Sequence, residues 1–427
     1  MSPSGKPLTS IEICAGAGGQ AIGLHQAGFK HLALVEIDPH AVETLKLNIS
    51  NQSDWRWENE NCDVISGDVR KYDPAGSVKK AQRFLDDSGV KTLMPGFLDL
   101  LAGGVPCPPF SHAGKQLGRD DDRDLFPDMI HLVEKLRPKA VMIENVRGIM
   151  DVKFDEYRKW IIDEISSVGV KSGSSAEAGP GYKVVHWDVL EASDFGVPQL
   201  RPRAILVAFR RDIYDGPEIK IDTLTQQNHV TVLDALKKTM DDRYRPWLSG
   251  DRGWEAWSSY RRWYQKARLR AKAKKDGSAG IAPTLVGGSK KHGGADLGPS
   301  RAKAAWKELG VCGLGVANDP KDLEKKRSED RDLFGADGPM LTVQQAAIIQ
   351  GFPEKWIFEG GKTAQYRQVG NAFPPPVAAA VGRKIAAVIR AAEESQAKSP
   401  GRTESGDGAV PAPAFSDRRS DLAGAAV

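Results

Sequence analysis

Short apolar runs alternate with amphipathic stretches along the first two hundred residues. The runs predict buried strands, and apolar positions at helical spacing between them predict helices. This alternation is typical of an α/β fold with a mainly parallel sheet and helices on both faces. The predicted strands are Ser10–Cys14, His31–Val35, Asp63–Ser66, Phe97–Ala102, Ala140–Ile143, Lys183–Val189 and Ala204–Phe209. The predicted helices include Gln20–Ala27, Pro39–Asn48, Asp128–Lys135 and Phe154–Val168.

The alternation ends after Phe209, which divides the chain into four parts. Residues 1–209 form the predicted α/β domain. Residues 210–338 are polar and rich in Gly, Lys and Arg, which predicts a smaller domain of mixed or irregular structure. Ordered patterns return over residues 339–396, and we expect this segment to complete both domains. Residues 397–427 are mostly Ser, Gly, Pro, Ala and scattered charges, a composition typical of a disordered tail.

Composition narrows the class of protein only a little. The 427 residues carry a net charge of +4, so any nucleic-acid partner depends on how the charge is distributed. No apolar stretch is long enough to span a membrane, and MSPSGKPLTSIEI lacks the pattern of a secretory signal, so we expect a cytoplasmic protein. The four cysteines are far apart and form no CxxC pair, which predicts neither a disulfide framework nor a metal site.

A glycine-rich turn follows the first predicted strand. In SIEICAGAGGQAIGL, Gly16, Gly18 and Gly19 lie between a strand and a helix, where a backbone without side chains allows close approach of a ligand. Glu36, about twenty residues on, ends the next strand and could accept the ribose hydroxyls of an adenosine group. A tight turn with a solvated acid explains the pattern equally well. The turn indicates a nucleotide-like cofactor but not which one.

Three further segments carry candidate chemistry. Cys107 lies between prolines in GGVPCPPFSH, which fixes the direction of its thiol as a nucleophile requires. Glu144 ends the strand AVMIENV, so both residues lie at carboxyl ends of strands, where α/β proteins bind ligands. In QLRPRAILVAF, Arg201 and Arg203 lie two residues apart at the beginning of a strand, so their side chains point to the same face. A loop cysteine, a surface acid and a solvated basic edge remain simpler explanations of each segment alone.

In this order, the segments resemble the cytosine-5 DNA methyltransferase family. The resemblance covers nearly all of Ser10–Phe209 and resumes from about Met340 to Arg390, through AGAGG, VEID, GDV, PCPPFS, ENV, QLRPR and YRQVGNAFPPPV. It implies an S-adenosylmethionine-dependent methyltransferase fold of Rossmann-like type, with residues 1–209 as the catalytic and cofactor-binding domain. Residues 210–338 match only by position, as the target-recognition domain.

The resemblance also implies roles for individual residues. Cys107 adds to C6 of a flipped-out cytosine, Glu144 holds N3, and Arg203 positions the base with support from Gln199 and Arg201. Transient addition divides a difficult step into two easier ones, and the base must leave the duplex to be reached. The residues implied to bind S-adenosylmethionine are Gly16, Gly18, Gly19, Glu36, Ile37, Asp68, Val69, Leu125 and Asn371. No metal is implied.

The sequence departs from the family pattern at three places. Cys14 replaces a frequent Phe before the cofactor loop, and Ala372 replaces the Ser that usually follows Asn371. In GPMLTVQQAAIIQGFP, Pro339 and Gln345 stand where an Arg and a Glu are usual, which puts the internal support of the recognition domain in doubt. None of these changes touches Cys107, Glu144 or Arg203.

Two stretches of the recognition region are candidates for DNA contact. The run over residues 252–275 interleaves aromatic residues with Arg and Lys, which suits phosphates and displaced bases, although an amphipathic helix with its aromatics packed inward explains it as well. The segment GGSKKHGGADLGPSRAK offers Lys290, Lys291 and Arg301 on a glycine-rich loop. A flexible solvated loop is an equally good explanation of this segment.

The sequence-based conclusion is a monomeric enzyme that methylates cytosine in double-stranded DNA, with a cognate restriction endonuclease as its genetic partner. One alternative keeps the chemistry and takes tRNA as substrate. A different class, a nicotinamide-dependent oxidoreductase, would rest on the glycine turn and Glu36, but it leaves PCPPFS and QLRPR unexplained.

Overall fold

We describe the protein from a computed structural model, which covers residues 7–77, 96–106, 124–170, 179–223, 228–287 and 295–398. Within these residues seven strands form one sheet. They are β1 (Leu8–Ile13), β2 (Phe29–Glu36), β3 (Asp63–Ser66), β4 (Leu100–Gly104), β5 (Ala140–Val146), β6 (Tyr182–Glu191) and β7 (Pro202–Arg210). Each lies where the hydrophobic pattern predicts a strand, with ends that differ by a few residues.

The strand order is β3-β2-β1-β4-β5-β7-β6. The first five strands of this order run parallel, whereas β7 pairs antiparallel with both β5 and β6. The carboxyl ends of β2, β1, β4 and β5 therefore share one edge of the sheet. Because β7 runs in the opposite direction, its beginning reaches that same edge, and Arg203 lies opposite Val146.

Helices cover both faces of the sheet, as predicted. One face packs against α4 (Phe126–Leu136) and α5 (Asp155–Ser167). The other packs against α1 (Gly19–Gln26) and α13 (Pro375–Lys398). Between β2 and β3 lie α2 (Pro39–Asn51) and the short α3 (Arg56–Asn61). Helix α2 begins where it does because the Asp38 side chain accepts hydrogen bonds from the backbone N–H groups of His40 and Ala41.

The recognition region is helical over its described residues, where the sequence suggested mixed or irregular structure. Its helices are α6 (Val232–Tyr244), α7 (Gly253–Lys272), α8 (Ser300–Glu308), α9 (Leu323–Lys326) and α10 (Glu329–Asp332). Two more, α11 (Val343–Ile349) and α12 (Lys362–Asn371), belong to the returning segment. These helices were not predicted from the sequence, because they carry many polar residues and only a weak apolar stripe.

The recognition helices share a core with the rest of the chain. One cluster of buried side chains joins Ala17 and Leu45 to Trp263 and Trp306 and to Tyr366 of the returning segment. This core crosses the boundaries that we propose at residues 209 and 338. The proposed parts of the chain, with a third boundary at residue 396, are therefore segments of sequence that share one core.

One helical stretch, Lys362–Lys398, is long and apolar enough to pass a composition test for a membrane span. However, 72% of its most apolar window is buried inside the protein. Its helix α13 packs against α1 and the sheet, which is how a core helix of a globular domain behaves.

Candidate active site

A cavity of about 490 Å³ opens at the carboxyl edge of β1, β2, β4 and β5. Most of the residues that the sequence assigned to a cofactor line it. They are Gly16, Gly19, Glu36, Ile37, Asp68, Val69, Leu125 and Asn371. Glu144 and Pro106 line the same cavity, so the predicted cofactor residues and one predicted catalytic acid meet in one place.

Glu36 is fixed by the backbone around it. Its Oε2 accepts a hydrogen bond from the Gly16 N–H at 2.7 Å, and its Oε1 accepts from the N–H groups of Ile37 and Asp38 at 2.9 and 2.8 Å. The acid at the end of β2 therefore holds the glycine turn after β1 in place. A carboxylate has about four acceptor positions, so these contacts leave capacity for a ligand hydroxyl.

The cavity wall also carries an exposed apolar side chain and a carboxylate, Ile37 and Asp68. Ile37 is 66% exposed, an unusual position for a large apolar side chain, and it lies on the cavity wall. Asp68 accepts from the backbone N–H of Arg70 and pairs with its guanidinium at 3.0 Å. These contacts lower the pKa of Asp68 and keep it a carboxylate.

Two glycines of the turn are required by packing. Gly18 has a left-handed φ of 90°, and a Cβ there would meet Trp356 at 2.9 Å. A Cβ on Gly19 would meet the backbone oxygen of Phe373 at 2.2 Å. Gly18 does not line the cavity, and its predicted contact with a cofactor stays a prediction. Next to it in the chain, the Ala17 carbonyl accepts a hydrogen bond from the Trp356 indole at 3.0 Å.

Glu144 and Arg203 form a close ion pair at the cavity. Arg203 Nε lies 2.7 Å from Glu144 Oε1, and both side chains are largely buried. Burial raises the pKa of Glu144, and the positive charges of Arg203 and Arg201 lower it by less. The Glu144 carboxyl therefore holds a proton at a higher pH than an ordinary Glu, as a group that shares a proton with a ring nitrogen requires.

Gln199 and Arg201 lie behind the cavity rather than on its wall. The Arg201 guanidinium donates to the carbonyls of Leu285 and Gly370, both at 2.7 Å. The Gln199 amide donates to Gln350 at 2.7 Å and accepts from the Leu285 N–H at 2.8 Å. These contacts join the recognition segment at Leu285 to the residues just before β7, and the Gly370 contact of Arg201 adds the helix that carries Asn371. We therefore predict that both side chains support the site by positioning these segments.

Cys107, the predicted nucleophile, lies outside the described residues, as do Lys290 and Lys291. The residues that directly precede Cys107 are described. Pro106, which directly precedes it, lines the cavity. The Asn145 amide donates to the Val105 carbonyl at 2.9 Å, which ties the end of β5 to the chain two residues before Cys107. The sequence analysis quoted the ENV segment without giving Asn145 a role.

Two of the three departures from the family pattern, Cys14 and Gln345, have structural consequences. The thiol of Cys14 lies at the cavity, and burial together with nearby acids raises its pKa well above the usual range, so it stays protonated. In the segment GPMLTVQQAAIIQGFP, where Gln345 replaces the usual Glu, Arg243 from α6 supplies a support of its own. Its guanidinium donates to Gln345 at 2.7 Å and to the Met340 carbonyl at 2.9 Å.

The aromatic run of α7 divides between two faces. Trp263 is buried, and Tyr260 and Tyr264 pack against the core. Trp254 and Trp257 are exposed and stacked on each other at 5.2 Å, and the Arg261 guanidinium lies 4.9 Å from the Trp257 ring. Helix α7 therefore packs one aromatic face against the core and exposes a second face that is aromatic and basic.

Comparisons with known proteins agree with this geometry. Residues 8–387 match the family described as C-5 cytosine-specific DNA methylase. The chain is 43% identical to Type II methyltransferase M.NaeI of Lentzea aerocolonigenes, over 90% of this chain and 75% of that protein. It is 40% identical to Type II methyltransferase M.NgoMIV of Neisseria gonorrhoeae, over 90% of this chain and 98% of that one.

A solved structure shares the fold at low sequence identity. The chain superposes on a mutant of DNMT2 from Spodoptera frugiperda with a TM-score of 0.50 and 15% identity, covering 90% of this chain and 99% of that one. The fold and the site together define a methyltransferase of the α/β class. The chain belongs to the C-5 cytosine-specific DNA methylase family. Membership in this family excludes the alternative interpretation of the sequence as a nicotinamide-dependent oxidoreductase.

Proposed function

We propose that this enzyme transfers a methyl group from S-adenosylmethionine to C5 of a cytosine flipped out of double-stranded DNA. The observation that carries the proposal is Glu144, which lies on the wall of a cavity lined by the predicted cofactor residues and forms a buried ion pair with Arg203. An acid with a raised pKa beside a cavity lined by cofactor-binding candidates is the combination that methylation of a cytosine ring needs.

The residues of the cavity fit S-adenosylmethionine. The exposed side chain of Ile37 offers an apolar surface for an adenine face, Asp68 offers a carboxylate for its amino group, and Glu36 offers one for ribose hydroxyls. Asn371 closes the cavity from the returning segment. When bound, S-adenosylmethionine supplies an electrophilic methyl group. Among the described residues no cluster of His, Cys, Asp or Glu is arranged to hold a metal ion.

The chemistry on the cytosine side is assigned to three side chains. The Cys107 thiolate forms a bond to C6, while Glu144 shares its proton with N3 and so stabilises the electron pair that develops toward C5. Arg203 orients Glu144 through their ion pair. After C5 has been methylated, loss of the C5 proton breaks the bond between C6 and Cys107 and restores the aromatic ring.

The similarity to two Type II methyltransferases supports a biological setting. We propose that the enzyme is the modification partner of a restriction endonuclease and acts as a monomer in the cytoplasm. The exposed face of α7 and the cation Arg301 are proposed to contact phosphates, together with Lys290 and Lys291. A gene for an endonuclease beside the gene for this chain would support the setting.

The test is transfer of labelled methyl from S-adenosylmethionine to duplex DNA of varied sequence and, in parallel, to tRNA. We expect label in DNA only, with the methylated positions mapped as 5-methylcytosine by bisulfite sequencing. Label in tRNA alone would overturn the choice of substrate and leave the chemistry in place. Label in neither substrate would contradict the proposal.

A further inference from the structure

Helix α7 exposes a continuous stripe of aromatic and basic side chains. Trp254, Trp257, Arg261, Arg268 and Lys272 are all exposed, at spacings of three, four, seven and four residues. At about 3.6 residues per turn, these spacings place the five side chains on one face of the helix. The opposite face is buried against the core of the recognition region. The packing of the helix therefore does not require the exposed stripe to be aromatic or basic.

The second half of α7 and the residues just after it are strongly cationic. Residues 261–275 contain eight Lys or Arg and no Asp or Glu. Arg270 pairs with Glu308 at 3.4 Å, whereas Arg268 and Lys272 are exposed and form no ion pair among the described residues. The whole chain has a net charge of only +4, so this concentration of positive charge is a local feature. Such a ridge suits an extended polyanion.

The two tryptophans near the beginning of the helix are exposed to an unusual degree for such large side chains. Trp254 is 75% exposed and Trp257 is 42% exposed, and their ring centroids lie 5.2 Å apart in a stacked pair. The Arg261 guanidinium lies 4.9 Å from the Trp257 ring and joins this pair to the cationic half. Cations suit phosphates, and aromatic rings pack against sugars and bases, so the stripe fits DNA, the substrate of this family.

The C-terminal end of α7 lies close to the catalytic edge of the sheet. A Cβ on Gly280 would meet the Ala271 Cα at 2.9 Å, so the chain that follows the helix packs against its last turns. Two residues later, the Ala282 carbonyl accepts a hydrogen bond from the Leu200 N–H at 2.8 Å. Leu200 lies two residues before β7, the strand that carries Arg203. The cations of the last turns therefore lie beside the strand that supports the target base.

The aromatic pair lies at the opposite end of the helix. Helix α7 has 20 residues and is about 30 Å long, at about 1.5 Å per residue. Its N-terminal end contacts other recognition residues, since the Arg252 guanidinium at the N-cap lies 4.5 Å from the Phe334 ring. In a DNA duplex, about 30 Å corresponds to about nine base pairs at about 3.4 Å each. The stripe is therefore long enough to follow DNA well beyond the target base pair.

We propose that the exposed stripe of α7 binds the DNA duplex on one side of the target cytosine, with Arg268 and Lys272 on phosphates near the target and the Trp254–Trp257 pair against the duplex about eight base pairs farther out. This inference rests on the proposed function and deepens it, because it assigns the DNA beyond the recognition sequence to one helix. Contacts to phosphates and sugars do not read base sequence. The stripe therefore sets how much flanking DNA the enzyme needs, and on which side, rather than which sequence it methylates.

The first test measures methylation of duplexes that keep one recognition site and lose flanking DNA on one side at a time. The site is the one mapped by bisulfite sequencing, and a hemimethylated duplex leaves one target cytosine, which fixes the orientation of the enzyme. We expect KM for DNA to rise about tenfold when one flank is cut from about 15 to about 4 base pairs, and to change less than about twofold when the other flank is cut. An equal response to both flanks, or to neither, would overturn the inference.

The second test removes the cations. We expect the double variant Arg268→Ala and Lys272→Ala to raise KM for the long duplex about tenfold at unchanged kcat, and to lose the preference for the longer flank. The slope of log KM against log salt concentration should fall by about two, because two phosphate contacts are lost. The matched control, Lys159→Ala with Arg383→Ala, removes two exposed cations from α5 and α13 and should behave as wild type. An equal loss in this control would show an effect of net charge alone and contradict the inference.

The third test concerns the aromatic pair. Trp254→Ala and Trp257→Ala together should raise KM severalfold on the long duplex and leave it unchanged on the duplex that lacks the sensitive flank, since the pair then has no DNA to contact. An unchanged KM on the long duplex would overturn the role of the tryptophans, and loss of a wild-type dimer in the variant, measured by analytical ultracentrifugation, would assign them to a second copy of the chain.

The two levels of the account fail in different ways. If the wild type methylates no duplex DNA of any length, the proposed function is refuted and the inference with it. If the wild type methylates DNA without any dependence on flank length, the proposed function stands and only the inference is refuted.

Discussion

At the scale of single residues, the Glu144 carboxyl combines burial with a cationic neighbour. Burial raises its pKa, while the ion pair with Arg203 fixes its direction. We predict that Glu144→Gln lowers kcat for methyl transfer about 10²- to 10⁴-fold, because an amide cannot exchange a proton with N3. Binding of S-adenosylhomocysteine should stay within twofold of wild type.

The control for this prediction is Glu134→Gln, an exposed acid on α4, which should leave kcat unchanged. For wild type, kcat should fall as the pH rises through the raised pKa of Glu144, because the acid form is then lost. A Glu144→Gln enzyme with full activity would remove Glu144 from the chemistry.

The buried side chain of His31 has a pKa that couples its protonation to folding stability. Its Nε2–H donates to the Ala21 carbonyl at 2.9 Å, its Nδ1 bonds the Ser10 hydroxyl at 2.9 Å, and burial lowers its pKa to about 4. The folded protein therefore binds this proton less readily than the unfolded chain. Its contribution to stability is complete above pH 6.5, the ordinary pKa of the group, and is lost as the pH falls toward 4.

We predict that this group removes about 3 kcal/mol from the free energy of unfolding across that window, at about 1.4 kcal/mol per pH unit. Urea unfolding at several pH values should show a smaller slope against pH for His31→Gln than for wild type. His40→Gln, at an exposed position on α2, should keep the wild-type slope. Equal slopes for all three proteins would refute the assignment.

Single residues also show what the sequence could not provide. The chemistry-bearing residues Glu144, Arg203 and Glu36 were predicted from their segments, because a short motif fixes both the residue type and its strand. The positioning roles that we predict for Gln199 and Arg201 depend on contacts more than eighty residues away.

At the scale of elements, the recognition helices are joined to the returning segment by one buried arginine. Arg243 donates to Gln345, to the carbonyl of Met340 and, at 3.2 Å, to the carbonyl of Asp332. The sequence pattern showed that the usual Arg and Glu were missing at this place. It could not show that an Arg from another helix replaces them, because no motif marks Arg243.

We predict that Arg243→Ala lowers the free energy of unfolding by about 3 kcal/mol, because it leaves three buried acceptors without their charged donor. Arg245→Ala, an exposed arginine beside it, should change the free energy by less than about 0.5 kcal/mol. The measurement is chemical denaturation of the two variants and wild type. Equal stability of the two variants would show that the Arg243 contacts add nothing.

The strands and the helices around the sheet were predicted because their apolar pattern repeats at the period of each element. The recognition helices were missed because α7 mixes buried and exposed aromatic residues with many cations, so its pattern has no clear apolar face. Which face of such a helix is buried can be seen only when the positions of the neighbouring helices are known.

At the scale of the whole molecule, the shared core predicts one unfolding unit. Buried side chains of the α/β sheet region, the recognition helices and the returning segment belong to a single cluster. We therefore expect one cooperative thermal transition by calorimetry, with equal calorimetric and van't Hoff enthalpies. Two separate transitions would show that the recognition region unfolds independently, as the division of the chain at residue 209 suggests.

The central claim is that Cys107 forms a bond to C6 of cytosine, and covalent trapping on DNA tests it most directly. The substrate is a DNA duplex in which 5-fluorocytosine replaces the cytosine that the enzyme methylates. Fluorine then stands in place of the proton that must leave C5, so the ring cannot be restored. With S-adenosylmethionine present, wild type and Cys14→Ser should form a protein–DNA species that survives denaturing electrophoresis, and Cys107→Ser should form none. An adduct in Cys107→Ser, or its loss in Cys14→Ser alone, would contradict the account.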